Sequence, residues 1–77
     1  MISGRQIRAA RALLGWSQQQ LADKAVVSAN ALARLERGQV DSRSSTIGSI
    51  ERVLQKAGIE FLPPAGGRGE GVRLKRE

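Results

Sequence analysis

The stretch 11-RALLGWSQQQLADKAVVSANALARLERG-38 contains the end of one predicted helix and two complete short helices. Gly15 is a stop signal for the first of them. Ser17 and Gln20 then form a capping box, in which a serine hydroxyl and a glutamine side chain satisfy free backbone amides at a helix start. Ser28 caps the next helix, and a glycine ends it. Only three residues separate the second helix from the third, which predicts two helices joined by a tight turn.

Helical signals continue on both sides of this stretch. Ser3 and Gln6 form another capping box at the start of the first helix. After a polar loop, apolar side chains recur every three or four residues up to Gly58, which predicts a fourth helix. The predicted helices cover about residues 4–14, 18–25, 29–37 and 45–57.

The chain changes character after residue 57. Ile59 to Leu62 and Val72 to Lys75 begin by alternating apolar and polar side chains, as strands with one buried face do. Between them lie two prolines and then four glycines within residues 65–71, which predicts a long, loose loop. The sequence therefore predicts a mainly α-helical fold, with a compact four-helix domain at residues 1–57 and a β-hairpin extension at residues 58–77.

Composition excludes several classes of function. The chain has 77 residues, with 13 Lys and Arg against 7 Asp and Glu, and it has neither cysteine nor histidine. Metal sites built from Cys and His, cysteine nucleophiles and Ser-His catalysis are therefore excluded. The acidic residues form no recognisable acid–base pair, so we expect no enzyme, no metal site and no cofactor. With only two aromatic residues, single-stranded nucleic acid is a disfavoured ligand.

Residues 11–38 resemble the DNA-binding domains of the phage-repressor and Cro-like family, the XRE-type or lambda-repressor-like helix-turn-helix proteins. The resemblance rests on the spaced pattern Arg11-x-x-x-Gly15-Trp16-Ser17-Gln18-x-x-Leu21-Ala22-x-x-Ala25-x-Val27-Ser28-x-x-x-Leu32-x-x-Leu35-Glu36-x-Gly38. With the fourth helix included, it covers about the first 57 residues. It implies a bacterial or phage protein that binds double-stranded DNA.

The resemblance places the third helix in the major groove of DNA, where its first residues meet base edges. Those residues are Ala29, Asn30, Ala33 and Arg34. Asn30 can bond N6 and N7 of adenine, Arg34 can bond O6 and N7 of guanine, and Ala29 can touch a thymine methyl group. The alternative is that Asn30 and Arg34 are ordinary solvated helix residues.

Phosphate contacts are expected on both sides of this set. Ser17 and Gln18 lie at the start of the second helix, where free amides and the helix dipole favour an anion, and the family uses the matching glutamine on a phosphate. Arg37, Gln39 and Arg43 follow the third helix and are candidates for the other side. Such contacts position the domain and do not read sequence. Alternatively, Gln18 is only the first helical residue after its cap, and the other side chains are solvated.

The resemblance also implies a structural ion pair between Arg11 and Glu36 that joins the first helix to the third. An arginine fork suits this role because it meets a carboxylate at two points. One position departs from the family pattern: Val26 stands where glycine is usual, at a turn residue with positive φ. A β-branched residue is disfavoured there, so either Val26 is strained or the turn has a different geometry.

The resulting hypothesis is a sequence-specific transcriptional regulator, a repressor that acts by occupying its operator. A few base contacts at about 1–3 kcal/mol each discriminate poorly against the roughly 10⁶ competing sites of a genome. We therefore expect a homodimer on a pseudo-palindromic operator, with recognition helices about 34 Å apart. The interface is expected at the fourth helix or at the hairpin residues Ile59, Phe61, Leu62, Val72 and Leu74. The alternative is that the hairpin only covers the helical core of its own chain.

Three other interpretations fit the same sequence. The chain can be an antitoxin-type autorepressor that also binds a toxin protein, a non-specific basic nucleic-acid-binding protein, or a protein-interaction module that has lost specific DNA binding. In each case the lack of cysteine, of a signal peptide and of any apolar run of membrane length predicts a cytoplasmic protein with no membrane partner. For a DNA-binding protein this means association with the nucleoid.

Overall fold

The structure, a computed structural model, describes residues 2–39 and 44–75. Four α-helices are followed by a two-stranded antiparallel sheet, so the predicted fold class is confirmed. The elements are α1 (Gly4–Leu14), α2 (Gln18–Ala25), α3 (Ala29–Glu36), α4 (Ser44–Lys56), β1 (Ile59–Leu62) and β2 (Gly71–Leu74). The third helix ends one residue earlier than predicted because Arg37 serves as its C-terminal cap, and α4 begins and ends one residue earlier than predicted.

Serine caps set the starts of the first three helices. The hydroxyls of Ser3, Ser17 and Ser28 accept the backbone N–H three residues further on, at 3.2, 3.1 and 3.0 Å. Both predicted capping boxes are present, because the backbone N–H groups of Ser3 and Ser17 donate to the side-chain oxygens of Gln6 and Gln20 at 2.8 Å each. These bonds satisfy amides that a helix start leaves unpaired, so the local sequence determines where each helix begins.

One apolar core lies between the four helices and the hairpin. Every helix and β1 contribute fully buried side chains to it. They are Ile7, Ala10, Leu21, Ala22, Ala25, Leu32, Leu35, Ile50, Leu54 and Ile59. Trp16, which follows α1, is half-buried against this core. The core therefore holds α3 by one face only, through Leu32 and Leu35.

The hairpin has strands of the predicted length, but its end is more ordered than the sequence predicted. Its strands pair from Ile59 with Leu74 to Leu62 with Gly71. Beyond the strands, the backbones of residues 65 and 68 exchange two hydrogen bonds of 3.0 Å around Gly66 and Gly67, whose φ angles are 59° and 78°. Two successive positive φ angles are what a type I′ hairpin turn requires. The connection between the strands, residues 63–70, is long as predicted, but it is not loose, because Gly66 and Gly67 form a turn within it.

Side chains at the start of α1 fasten the hairpin to the helices. The amide nitrogen of Gln6 donates to the carbonyl oxygens of Leu62 and Gly71, at 3.2 and 3.0 Å. Glu70 accepts from Arg5 Nη2 at 2.7 Å and from Ser3 Oγ at 3.0 Å. The Arg5 side chain remains 76% exposed in this pair. Gln6 therefore has two roles: it completes the capping box of α1, and it connects α1 to the hairpin.

The hairpin face predicted as a dimer interface lies mostly against its own chain. Ile59 is fully buried in the core, so it is not at the surface and its prediction as an interface residue is wrong. Phe61 and Val72 pack against the core and are half-buried, as is Leu62. Leu74 is the exposed member of the set, at 39%. The first strand packs inward because α4 ends only three residues before it.

Candidate nucleic-acid interface

The outer face of α3 presents two of the four predicted base-reading residues fully to solvent. Asn30 and Arg34 are exposed and lie one helical turn apart, and Ala29 and Ala33 are half-buried beside them. The opposite face is anchored in the core by leucines such as Leu32, which is fully buried. A short helix held by one face leaves the other free to enter a groove.

Asn30 lies in the first turn of α3, at the positive end of the helix, whereas Arg34 lies in its last turn. Ser28 Oγ accepts from the N–H of Ala31, which leaves the amides of Ala29 and Asn30 without acceptors inside the helix. Unpaired amides and the helix dipole give this end a partial positive charge. Arg34 adds a full charge on the same exposed face. The first two turns of α3 therefore favour an electronegative partner.

The turn before α3 contains the one non-glycine residue with positive φ in the described part of the chain. Val26 has φ 57° and ψ 48°, the left-handed conformation, and its N–H donates to the carbonyl of Asp23 at 3.3 Å. The turn therefore has the expected geometry despite the β-branched side chain. That side chain is 90% exposed, so no packing offsets the backbone strain.

Val26→Gly is expected to raise the free energy of unfolding by about 1 kcal/mol. Strain at such a residue costs about 1–3 kcal/mol, and glycine relieves it. Glycine also gives the unfolded chain more conformational freedom, which offsets about 0.5–1 kcal/mol of that gain. Val26→Ala is the matched control, because it removes the branch but keeps Cβ and should gain less. Urea denaturation of the three proteins measures the difference. A lower midpoint for Val26→Gly than for the parent chain would contradict the strain.

A buried ion pair joins α1 to the end of α3. Arg11 Nε donates to Glu36 Oε2 at 2.8 Å, and Arg11 Nη2 donates to Glu36 Oε1 at 2.9 Å. The third nitrogen, Nη1, donates to the carbonyl of Trp16 at 3.0 Å. The Glu36 side chain is 3% exposed and the Arg11 side chain 18%. The pair therefore fixes α3 against the rest of the domain at the end opposite Asn30.

The electrostatics of this pair follow from its surroundings. Burial raises the pKa of Glu36, but hydrogen bonds from Arg11 and Gln18 and the charges of Arg11 and Arg8 bring that pKa below its ordinary value. The hydrogen bond to Glu36 raises the pKa of Arg11. Both groups are therefore charged at neutral pH.

Gln18 takes part in the same cluster, which sequence reasoning missed. Its Nε2 donates to Glu36 Oε1 at 3.0 Å, and the side chain is half-buried. An amide nitrogen has two hydrogens, so one remains for another acceptor. Ser17 is exposed beside it at the start of α2. The contact with Glu36 thus holds Gln18 at a fixed place next to the free amides of that helix.

The remaining predicted phosphate contacts follow α3. Arg37 and Gln39 are both exposed, and the Gln39 N–H donates to the carbonyl of Arg34 at 3.1 Å. Arg43 lies outside the described residues. Arg37 also lines a groove of about 550 Å³ between α1 and the end of α3, together with Arg8. Within residues 2–39 and 44–75, neither Arg34 nor Arg37 pairs with a carboxylate.

The described part of the chain contains neither a cluster of metal ligands nor a membrane-spanning helix. No three carboxylate, cysteine or histidine side chains lie together there as ligands for a metal ion. In the same part, no helix combines the length and the apolar character needed to cross a bilayer.

Comparison with known proteins identifies a family. A family model described as "Helix-turn-helix" matches residues 7–61, which is more than half of the 77 residues. The match includes α2, α3 and α4 whole and α1 from Ile7 onward. No curated protein matches the chain. The matched range also includes both residues of the buried ion pair and all four predicted base-reading residues.

Proposed function

Since the chain belongs to the XRE-type, Cro-like helix-turn-helix family and is a DNA-binding transcription regulator, we propose that it is a sequence-specific repressor. It acts as a homodimer on a pseudo-palindromic operator, with α3 of each copy in the major groove. Occupancy of the operator blocks transcription.

The observation that carries this proposal is the placement of Asn30 and Arg34. Both side chains are exposed on one face of α3, and the opposite face is held in the core. Asparagine bonds adenine N6 and N7, and arginine bonds guanine O6 and N7. A helix that presents both side chains on one exposed face supports recognition of a defined base sequence.

Phosphate contacts on either side are proposed to fix the orientation of α3. Ser17 and Gln18 lie at the start of α2, where free amides attract a phosphate oxygen. Arg37 and Gln39 follow α3 and are exposed. Neutralising phosphates releases counterions, so binding should weaken steeply with salt.

A second copy supplies the specificity that one domain lacks. Asn30 and Arg34 together contribute about 2–6 kcal/mol of discrimination at about 1–3 kcal/mol each, against roughly 10⁶ competing genomic sites. Two domains on a symmetric operator double the number of base contacts. Leu74 on the hairpin is exposed and suits the interface.

Arg34→Ala is expected to relax the base preference at one position of the operator half-site, at a cost of about 1–3 kcal/mol. The operator is first defined by selecting bound duplexes from a random pool. Binding of the best duplex and its single-base variants is then measured by fluorescence anisotropy. Arg37→Ala is the matched control, because a lost phosphate contact weakens all duplexes equally.

Two results would contradict this assignment. If Arg34→Ala weakens every duplex by the same factor, Arg34 contacts phosphate and does not read a base. If selection enriches no sequence over scrambled duplexes, the protein is a non-specific DNA-binding protein.

A further inference from the structure

A basic groove lies between the end of α2 and the second half of α4. It has a volume of about 230 Å³, and its lining consists of Lys24, Ala25, Ser49, Arg52, Val53 and Lys56. Three of these six residues are cations, and none is acidic. Ala25 is buried and Val53 is half-buried, so they form an apolar floor beneath the charged rim.

The three cations of this basic groove have no carboxylate partner among the described residues. The ion pairs there are Arg5 with Glu70, Arg11 with Glu36, and Arg73 with Glu60. The nearest acidic residue along α4 does not compensate them. Glu51 lines a different cavity, which faces the hairpin and includes Phe61.

Helix dipoles explain part of this arrangement but not all of it. Lys24 and Lys56 lie in the last turns of α2 and α4, where a cation stabilises the helix. Arg52 lies one turn earlier and gains little from the dipole. Lys24 Nζ is 4.9 Å from the ring centre of Trp16, a cation–π contact that restrains the lysine side chain. Helix dipoles therefore do not account for all three cations around this groove, whereas a negatively charged ligand would.

The basic groove is also separate from the proposed DNA contacts. Lys24 is six residues beyond Gln18, which corresponds to about 9 Å along the axis of α2. A DNA duplex presents its phosphates on a convex surface, and phosphates make no favourable contact with an apolar floor. A flexible peptide can place carboxylates on the rim and a small apolar side chain on the floor.

We propose that the basic groove of Lys24, Arg52 and Lys56 binds an acidic segment of a partner protein. The carboxylates of that segment contact the three cations, and an apolar side chain packs on Ala25 and Val53. The inference does not depend on which DNA sequence the protein binds, since it uses a different surface.

The test compares two charge-matched variants of the full chain. Arg52→Glu/Lys56→Glu reverses two charges at the basic groove. Arg68→Glu/Lys75→Glu reverses two exposed charges on the hairpin and gives the same net charge. Binding of an octaglutamate peptide is followed by NMR chemical-shift changes at low ionic strength, where screening is weak. Binding of the selected duplex is measured in parallel.

The expected result is that the peptide shifts the amides of Lys24, Ser49, Arg52 and Lys56. The groove variant should lose about tenfold or more in peptide affinity, since it removes two charge contacts and the reversed charges repel the peptide. The hairpin variant should lose much less, and the two variants should bind the duplex equally.

Three other results would overturn the inference. Shifts centred on Asn30 and Arg34 would mean that the peptide only imitates DNA. A much larger loss of duplex affinity in the groove variant than in the hairpin variant would make the groove a DNA contact. Equal loss of peptide affinity in both variants would show that net charge, and not the groove, attracts the peptide.

Discussion

Gly4→Ala is expected to lower the free energy of unfolding by about 3 kcal/mol or more, at the upper end of what added atoms cost in a filled interior. A Cβ atom built on Gly4 would overlap the carbonyl oxygen of Leu35 and come within 3.0 Å of Glu36 Cα. Both obstacles are backbone atoms, so no change of rotamer relieves them. The start of α1 and the end of α3 would have to move apart.

The sign of this effect distinguishes packing from helix propensity. Alanine is the better helix former by about 1 kcal/mol, so the local sequence alone predicts that Gly4→Ala is stabilising. Gly48→Ala in α4 is the control, because no described atom outside its own helix backbone lies within 4 Å of the added Cβ. We expect Gly48→Ala to gain about 0.5–1 kcal/mol in urea denaturation. A similar gain for Gly4→Ala would refute the close approach of α1 to α3.

The sequence predicted the helices because their boundaries depend on local chemistry. Ser3, Ser17 and Ser28 cap helices through bonds that span three residues, and such bonds can be recognised from spacing alone. The family resemblance left two alternatives for Val26, a strained residue or a different turn, and its positive φ shows the first of them. The type I′ turn at Gly66 and Gly67 had an equally local signal, but adjacent glycines were interpreted as flexibility.

Contacts between distant parts of the chain could not be predicted in this way. Gly4 meets the backbone of Leu35, 31 residues away, and nothing near Gly4 indicates which segment will pack there. Gln6 bonds two carbonyls of the hairpin, but its spacing from Ser3 indicated only its local role in the capping box. At the candidate site, the exposure of Asn30 and Arg34 follows from helical periodicity, but the bond from Gln18 to Glu36 depends on how α2 crosses α3.

Glu36→Ala is expected to lower the free energy of unfolding by about 3 kcal/mol, the lower end of what breaking a buried ion pair costs. The substitution removes the acceptor of two bonds from Arg11 and one from Gln18. The Arg11 guanidinium then keeps only the carbonyl of Trp16 as a partner. A domain of 77 residues is stable by only about 4–12 kcal/mol, so this loss is a large fraction of the total.

A control variant separates the effect of burying an ion pair from the effect of charge pairing alone. Glu60→Ala breaks another arginine–glutamate pair, with Arg73, whose side chains are 40% and 62% exposed. We expect little change in stability, because solvent screens exposed pairs. The folded fraction of Glu36→Ala should still contact DNA bases, since Asn30 and Arg34 are untouched. An unchanged melting temperature for Glu36→Ala would show that the buried pair does not hold α3 in place.

The pH dependence of stability gives an independent test of the charge on Glu36. Its pKa in the folded protein lies below the ordinary value of 4.5, so the ionised carboxylate stabilises the fold fully above that value and loses its effect as the pH falls through the lowered pKa. Glu36→Gln cannot titrate, so it serves as the reference. Glu60 and Glu70 also have lowered pKa values, but both remain in the variant and cancel in the comparison. The difference in unfolding free energy between the parent chain and Glu36→Gln should therefore be constant at neutral pH and shrink below pH 4.5. A difference that persists unchanged in acid would mean that the size of the Glu36 side chain, and not its charge, stabilises the junction of α1 and α3.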